Sequence, residues 1–126
     1  MVKILIVDDE IDVCKFAKSF FETRGFAVFS ALNGQEALEI FTRERPDIVL
    51  IDVRMKGMDG VMLLKEIKKI DKNTEAIMVS AVEDLDVIEE AKKEGAKEYI
   101  TKPLVLEELE KIVLEKAKWI EAQKKI

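Results

Sequence analysis

The chain has 126 residues, 48% hydrophobic and 37% charged, which is enough for one domain with a substantial core and a heavily charged surface. A formal net charge of -5 disfavours nonspecific nucleic-acid binding. The chain has no His and one Cys, which excludes an internal disulfide, a Cys/His zinc cluster and a Ser-His-Asp triad. No apolar run approaches the ~20 residues of a membrane-spanning helix and no secretory leader precedes the first strand pattern, so we expect a protein of the reducing cytoplasm.

The first predicted unit is a strand followed by a helix. The apolar run Lys3 to Val7 predicts the strand, and three acids follow it directly: Asp8, Asp9 and Glu10. Apolar residues at helical spacing then predict the stripe that the helix turns toward the core: Val13, Phe16, Ala17 and Phe20. Cys14 lies beside this stripe, which favours a small buried hydrophobic residue, and Gly25 predicts the helix cap.

The second unit has a less regular strand and a better-marked helix. Phe26 to Ser30 alternates apolar residues and predicts the strand, whose exit around Ser30 carries no reactive group. Asn33 with Glu36 three positions later indicates a capping-box helix start. Pro46 predicts that this helix ends before the next strand.

The third strand is the centre of the pattern, because the apolar residues Ile48 to Ile51 lead directly into a carboxylate, Asp52. An unbroken apolar run of this length is typical of a parallel strand buried on both faces. Gly57 and Gly60 follow and permit tight turns. Since a buried carboxylate is costly unless something pairs with it or uses it, Asp52 is a candidate functional group.

The second half of the chain predicts two more strands and three helices. The strands are Ala76 to Val79, followed by Ser80, and Lys97 to Ile100, followed closely by Lys102. The three helices each carry an apolar stripe that is predicted to face inward. The third helix has Leu63, Leu64, Ile67 and Ile70; the fourth, which starts at Asp84 and is capped at Gly95, has Leu85, Ile88 and Ala91. The fifth begins near Leu106 and has Leu109, Ile112, Val113 and Ile120. Trp119 lies off the last stripe, so we expect it to be partly exposed.

Strands that alternate with helices indicate an α/β fold, with a parallel sheet covered by helices on both faces. Ligands of such sheets bind beyond the carboxyl ends of the strands. Reactive polar side chains lie at or just after the carboxyl ends, here called the strand exits, of four of the five predicted strands: Asp8 and Asp9, Asp52, Ser80, and Lys102. Together these residues place carboxylates, a hydroxyl and an ammonium group at one edge of the sheet.

This set of groups suits phosphoryl chemistry. Three nearby carboxylates repel one another unless a cation joins them, and oxygen ligands without His or Cys favour Mg²⁺ or a relative such as Mn²⁺. Lys102 suits a phosphoryl oxygen or an anionic carboxylate, and Ser80 can donate one hydrogen bond. A carboxylate such as Asp52 can itself attack phosphorus to give an aspartyl phosphate.

The joint pattern resembles that of bacterial two-component response-regulator receiver domains over essentially the whole chain, residues 1–126. The matching motifs are Asp8-Asp9, Asp52, Met58-Asp59-Gly60, Ser80-Ala81, Tyr99 and Lys102-Pro103. The resemblance implies a flavodoxin-like (βα)5 fold, in which a doubly wound five-stranded parallel sheet has the strand order 2-1-3-4-5.

The resemblance also implies roles for the residues at the strand exits. Asp52 would accept a phosphoryl group from a sensor histidine kinase or a phosphotransfer protein. Asp9, with Asp8 behind it, would hold Mg²⁺ together with Asp52 and the backbone carbonyl of Arg54. Lys102 would contact the phosphoryl group.

A conformational switch is implied as well. Ser80 would move toward the phosphoryl group, Tyr99 would turn inward, and the face made by the fourth helix, fifth strand and fifth helix would control a downstream partner. The Lys102-Pro103 peptide bond would be cis. We expect no direct binding to nucleic acid or membrane, and a monomer or a weak phosphorylation-dependent homodimer. Lys56 stands where the family often has Pro.

Two alternatives remain open. A Mg²⁺-dependent phosphohydrolase could also form an aspartyl phosphate, but such enzymes commonly carry a second acid two positions after the nucleophile, where this chain has Arg54. A phosphorylation-independent binding module on the same fold often lacks one of the acids or the lysine, all of which are present here. A flavin-binding role is weaker because no phosphate loop is found.

Overall fold

The computed structural model describes residues 1–55, 57–80 and 85–124. In these ranges strands and helices alternate in the order β1 (Lys3–Val7), α1 (Ile11–Glu22), β2 (Ala27–Ala31), α2 (Gly34–Glu44), β3 (Ile48–Asp52), α3 (Gly60–Ile70), β4 (Glu75–Ser80), α4 (Leu85–Lys93), β5 (Glu98–Thr101) and α5 (Leu106–Lys124). Three positions named above lie outside the described residues: Lys56, where the family often has Pro, Ala81 of the Ser80-Ala81 motif, and Asp84, the predicted start of the fourth helix.

The strands form one parallel sheet in the order β2-β1-β3-β4-β5, which confirms the predicted architecture. The register pairs Val7 with Ile51, so Asp8 follows β1 beside the last residue of β3. β2 and β5 each lie one residue later than the sequence predicted. In β2 the shift follows from pairing with β1, which matches Ala27 to Lys3.

Helices cover both faces of the sheet, and each face has its own core. Ile48 and Leu50 belong to the cluster under α1 and α5, whereas Val49 and Ile51 belong to the cluster under α2, α3 and α4. This division follows from the two-residue period of a strand, whose side chains point alternately to opposite faces. All of β3 is buried, including Asp52, as the unbroken apolar run predicted.

The predicted inward face of α1 was wrong for Phe16, which is 71% exposed. The buried stripe is instead Cys14, Ala17 and Phe21, while Phe20 is only partly buried. The helix carries two overlapping apolar stripes, and the choice between them depends on partners elsewhere in the chain. Phe21 makes an edge-to-face contact with Phe26 at a ring-centroid distance of 5.8 Å, and this contact turns it inward.

The predicted helix caps are largely confirmed. Gly25 and Gly95 have positive φ angles of 90° and 103°, and the amide of the residue after each glycine donates to the carbonyl five positions back, as in a Schellman cap. Asn33 caps α2 by accepting a hydrogen bond from the Glu36 amide at 2.8 Å. The Glu36 carboxylate, however, accepts from the Leu32 amide rather than that of Asn33.

The last helix also follows its predicted stripe. Leu109, Val113 and Ile120 are buried on α5, and Trp119 is 57% exposed, as its position off the stripe predicted. Among the helices in the described ranges, none is both long enough and apolar enough to cross a membrane.

Candidate functional site

Two buried carboxylates lie side by side at the carboxyl edge of the sheet. Asp52 is the last residue of β3 and is 2% exposed, and Asp8 directly follows β1 and is 4% exposed. Asp9 and Glu10 continue from Asp8 and are exposed to solvent. The apolar strands thus carry Asp8 and Asp52 into the protein interior, while Asp9 and Glu10 face the solvent at the same edge.

Lys102 brings a positive charge from the end of β5 to this edge. Its Nζ donates to Asp52 Oδ2 at 3.0 Å and lies 4.0 Å from Glu10 Oε1. The Lys102 amide donates to the carbonyl oxygen of Ser80 at 2.9 Å, which ties the connection after β5 to the end of β4. The Lys102–Pro103 peptide bond is cis, as the resemblance implied. The ion pair compensates part of the cost of burying the Asp52 carboxylate.

The pKa shifts follow from this arrangement. Burial raises the pKa of Asp8, the hydrogen bond from the Glu10 amide at 2.9 Å partly opposes the shift, and the charge of Asp52 adds to it. Partial burial alone would lower the pKa of Lys102. The hydrogen bond and charge of Asp52, with the charges of Asp8 and Glu10, outweigh that effect, and the pKa is raised. Lys102 therefore stays protonated beside the acids.

The acids form a cluster that fits a hard divalent cation. One carboxylate oxygen from each of Asp8, Asp9 and Glu10 lies within 4.8 Å of the others. An all-oxygen set with no nitrogen or sulfur ligand suits Mg²⁺ or Mn²⁺. The residues present therefore fit the metal that the resemblance implied.

Glu10 was not assigned to the site from the sequence. It lies close to both the acids and Lys102, and its position directly after Asp8-Asp9 was the signal that could have identified it. Asp8, Glu10 and Lys102 also line one cavity of about 380 Å³. This cavity offers space next to the charged groups for a small anionic moiety.

The Arg54 backbone lies next to the Asp52 carboxylate. Its amide donates to Asp52 Oδ1 at 3.2 Å, so the two oxygens of Asp52 have different partners, Arg54 on one side and Lys102 on the other. A metal contact through the Arg54 carbonyl stays a prediction.

The segment Met58-Asp59-Gly60 fixes how α3 meets the end of β3. Asp59 caps α3 by accepting a hydrogen bond from the Met62 amide at 2.9 Å. A Cβ atom on Gly60 would lie 2.5 Å from the Asp52 carbonyl oxygen and 2.7 Å from the Cα of Val53. The missing side chain at Gly60 therefore allows the helix to pack directly behind the candidate acceptor.

The two predicted switch residues lie on neighbouring strands. Ser80 ends β4 and is buried, and Tyr99 lies on β5 opposite Met78. The Tyr99 ring packs against the core under α2, α3 and α4, with Lys92 Nζ 5.5 Å from its centroid. Its hydroxyl is buried without a hydrogen-bond acceptor or donor in the three described ranges. No hydrogen bond within those ranges joins Tyr99 to the acid cluster.

Comparison with known proteins identifies a protein family that the chain matches. A model of the response regulator receiver domain matches residues 4–114 of the chain. The chain is 43% identical over 107 residues to sporulation initiation phosphotransferase F of Bacillus subtilis, a match that covers 85% of this chain and 86% of that protein.

Longer proteins and solved structures are similar as well. The regulatory protein AtoC of Escherichia coli is 39% identical over 98% of this chain, which spans only 26% of AtoC. The crystal structure of a response regulator receiver domain protein from Clostridium thermocellum superposes with a TM-score of 0.89 at 33% identity, covering 98% of this chain and 99% of that one.

Proposed function

Because the chain belongs to the family of response regulator receiver domains, we propose that Asp52 accepts a phosphoryl group from a sensor histidine kinase or a phosphotransfer protein. The observation that supports Asp52 above the other acids is its environment. Its carboxylate is almost fully buried, yet one oxygen is held by the Lys102 ammonium and the other by the Arg54 amide. These contacts orient a nucleophile whose charge the protein would otherwise bury at high cost.

The proposed reaction transfers the phosphoryl group from a nitrogen to an oxygen. An oxygen of the Asp52 carboxylate attacks the phosphorus of a phosphohistidine, an O–P bond forms and the N–P bond breaks. The imidazole nitrogen of the donor keeps the electron pair and takes a proton from solvent. Lys102, already 3.0 Å from Asp52, is within reach of the phosphoryl oxygens and offsets their charge.

Asp8 and Asp9, together with Asp52 and the Arg54 carbonyl, would hold Mg²⁺ or Mn²⁺, and Glu10 lies close enough to take part. When bound, the ion supplies positive charge that neutralises the oxygens of the transferring group. The protein's own contribution is to gather these acids at one strand edge and to keep Lys102 charged beside them.

We propose that the chain is a switch and not a turnover enzyme. The Ser80 hydroxyl moves to the phosphoryl group, Tyr99 turns in the space next to β4, and the face of α4, β5 and α5 shifts between two populations that a downstream partner distinguishes. A cytoplasmic protein that dephosphorylates itself fits this role. It acts as a monomer or as a weak phosphorylation-dependent homodimer.

Acetyl phosphate labelling followed by intact mass measurement tests the acceptor. With Mg²⁺ present, the wild type is expected to gain one phosphoryl mass, and the gain is expected to vanish with EDTA and in Asp52→Asn. Asp12→Asn is the matched control, because Asp12 is an exposed acid in the first turn of α1 and is not one of the acids that cluster within the described residues. This variant is expected to be labelled like the wild type.

The outcomes separate the candidate functions. No labelling of folded wild-type protein, under conditions that preserve acyl phosphates, would contradict the switch and favour a phosphorylation-independent binding module. Continuous release of inorganic phosphate from a phosphate monoester, abolished in Asp52→Asn, would instead favour the phosphohydrolase.

A further inference from the structure

A second cavity, of about 390 Å³, lies at the opposite edge of the sheet from the acid cluster. β4 begins beside it at Glu75 and ends at Ser80, so the length of the strand separates this cavity from the candidate acceptor. The connections from α3 to β4 and from α4 to β5 form most of its lining, and Trp119 of α5 completes it. Nothing in the proposed phosphoryl transfer uses these residues.

The lining has an excess of positive charge. Four lysines contribute to it: Lys68, Lys72, Lys93 and Lys97. The two carboxylates in the lining already have lysine partners, because Glu75 Oε2 lies 3.3 Å from Lys116 Nζ and Glu94 Oε1 lies 3.9 Å from Lys65 Nζ. In the part of the chain that the structure describes, no carboxylate forms an ion pair with any of the four lysines of the lining. In a chain with a net charge of -5, this one cavity is therefore lined by four lysines and two carboxylates.

Lys68 is fixed in place at this cavity. Its Nζ donates to the carbonyl oxygens of Thr74 at 2.6 Å and Lys72 at 3.2 Å. Burial lowers the pKa of Lys68, Glu75 partly restores it, and the charge of Lys97 lowers it further. A bound anion would relieve the repulsion between these ammonium groups.

The same lining includes Trp119, which suits another part of a ligand, and Thr74. Trp119 presents a half-exposed indole, a surface on which a planar ring can stack. Thr74 is 3% exposed, and its hydroxyl is buried with no hydrogen-bond partner within residues 1–55, 57–80 and 85–124.

We propose that this cavity binds a nucleotide, with its phosphates on the lysines and its base on Trp119. Lysine ammonium groups bind phosphate as compact point charges, and stacking of a base on an aromatic ring tolerates different bases. The volume lies in the range of small-ligand sites in proteins, roughly 300–1,000 Å³. This site is independent of the phosphoacceptor, since the two lie at opposite edges of the sheet.

Fluorescence offers a direct test, because Trp119 is the one tryptophan of the chain. ADP, GDP and UDP are titrated separately with EDTA present, so that no metal can hold a nucleotide at the acid cluster, and inorganic pyrophosphate serves as the probe without a ring. The test variant is Lys93→Ala/Lys97→Ala, since both side chains are exposed and their removal spares the core. The control is Lys15→Ala/Lys111→Ala, which changes the net charge equally at exposed positions outside the cavity.

We expect at least one nucleotide to give a saturable change in Trp119 fluorescence with one site per chain by calorimetry. The affinity is expected to fall at least about tenfold in the test variant, because two charged contacts are lost, and to be unchanged in the control. The proposal is overturned if no nucleotide saturates, if pyrophosphate binds as tightly as the nucleotides, or if the control variant loses as much affinity as the test variant. None of these results would alter the labelling of Asp52, so the two proposals fail separately.

Discussion

At the residue scale, the candidate site depends on a balance between burial and charge. Asp8 and Asp52 are carried inside by apolar strands, and Lys102 supplies the nearest compensating charge. One ammonium group cannot neutralise two buried carboxylates and the acids beside them. The residual negative charge supports our proposal that the cluster binds a divalent cation.

Binding of Mg²⁺ should therefore stabilise the folded protein. A ligand at ten times its dissociation constant raises the free energy of unfolding by about 1.4 kcal/mol. We expect a matching rise in the thermal midpoint of the wild type, a much smaller rise in Asp9→Asn, and a wild-type rise in Asp12→Asn. Differential scanning calorimetry at constant ionic strength measures the shift. Equal shifts in all three proteins would show that the ion acts elsewhere.

Cys14 provides a pH-dependent prediction away from the charged edge. Burial, with a further contribution from the charge of Asp8, raises the pKa of this thiol from 9.0 to about 11. Between these two values the unfolded chain loses the thiol proton first. The free energy of unfolding should thus fall as the pH rises from about 9 to about 11.

The expected slope is at most about 1.4 kcal/mol per pH unit for one proton. Urea unfolding of wild type and Cys14→Ala at several pH values isolates the contribution, because other groups titrate in both proteins. Parallel stability curves for the two proteins would show that the folded thiol keeps its ordinary pKa.

At the element scale, α2 and α3 show how a glycine can decide the placement of a helix. Both helices begin with glycine, Gly34 and Gly60. A Cβ on Gly60 would lie closest to backbone atoms of Asp52 and Val53, whereas a Cβ on Gly34 would lie closest to Met58, 2.8 Å from its Sδ and 2.9 Å from its Cβ. The Met58 Sδ can move by a change of rotamer, and its Cβ can move with the backbone of the connection before α3, but the backbone at Asp52 cannot move without shifting β3.

Gly60→Ala is accordingly expected to lower the free energy of unfolding by about 1–3 kcal/mol, the usual cost of overpacking. Gly34→Ala is the matched control and should cost less. Urea unfolding monitored by circular dichroism compares the two variants. If both substitutions cost the same, the close approach of α3 to the end of β3 is not what requires glycine.

The helix α1 makes a related point. Its apolar residues permit two inward faces, and the sequence pattern favoured the one with Phe16. The observed face is chosen by Phe21, which contacts Phe26 beyond the helix. Helical periodicity therefore identified the element but not its rotation about its own axis.

At the scale of the whole molecule, the two core clusters share one sheet. Ile48 and Val49 are adjacent in β3, both are fully buried, and they pack on opposite faces. Loss of either cluster would expose the opposite side of the same strands to water. The two layers should therefore unfold together.

Substitutions on either face should then lower the midpoint of one shared unfolding transition. Ile48→Ala is expected to cost about 2–5 kcal/mol, and Val49→Ala somewhat less because a smaller side chain is removed. In urea, Trp119 fluorescence, which reports on α5, and far-ultraviolet circular dichroism should give coincident curves for each variant. Separate midpoints for the two signals would mean that the layers unfold independently.

The sequence by itself determined the α/β architecture, the strands and most helix ends. These features follow from local patterns: an apolar run such as Ile48 to Ile51 can only be buried, and glycines such as Gly25 and Gly95 cap helices whatever lies around them. The residues at the strand exits were predictable for the same reason, since parallel strands bring their carboxyl ends to one edge. The strand order came from the resemblance to receiver domains, and the observed sheet has it.

Only the tertiary structure decided which distant residues meet. It turned Phe16 outward, placed Glu10 beside Lys102, and gathered lysines from the last turns of α3 and α4 and the connections after them around Trp119. No local pattern encodes these contacts, because they join residues far apart in the sequence. Their distances depend on how the whole core packs at once.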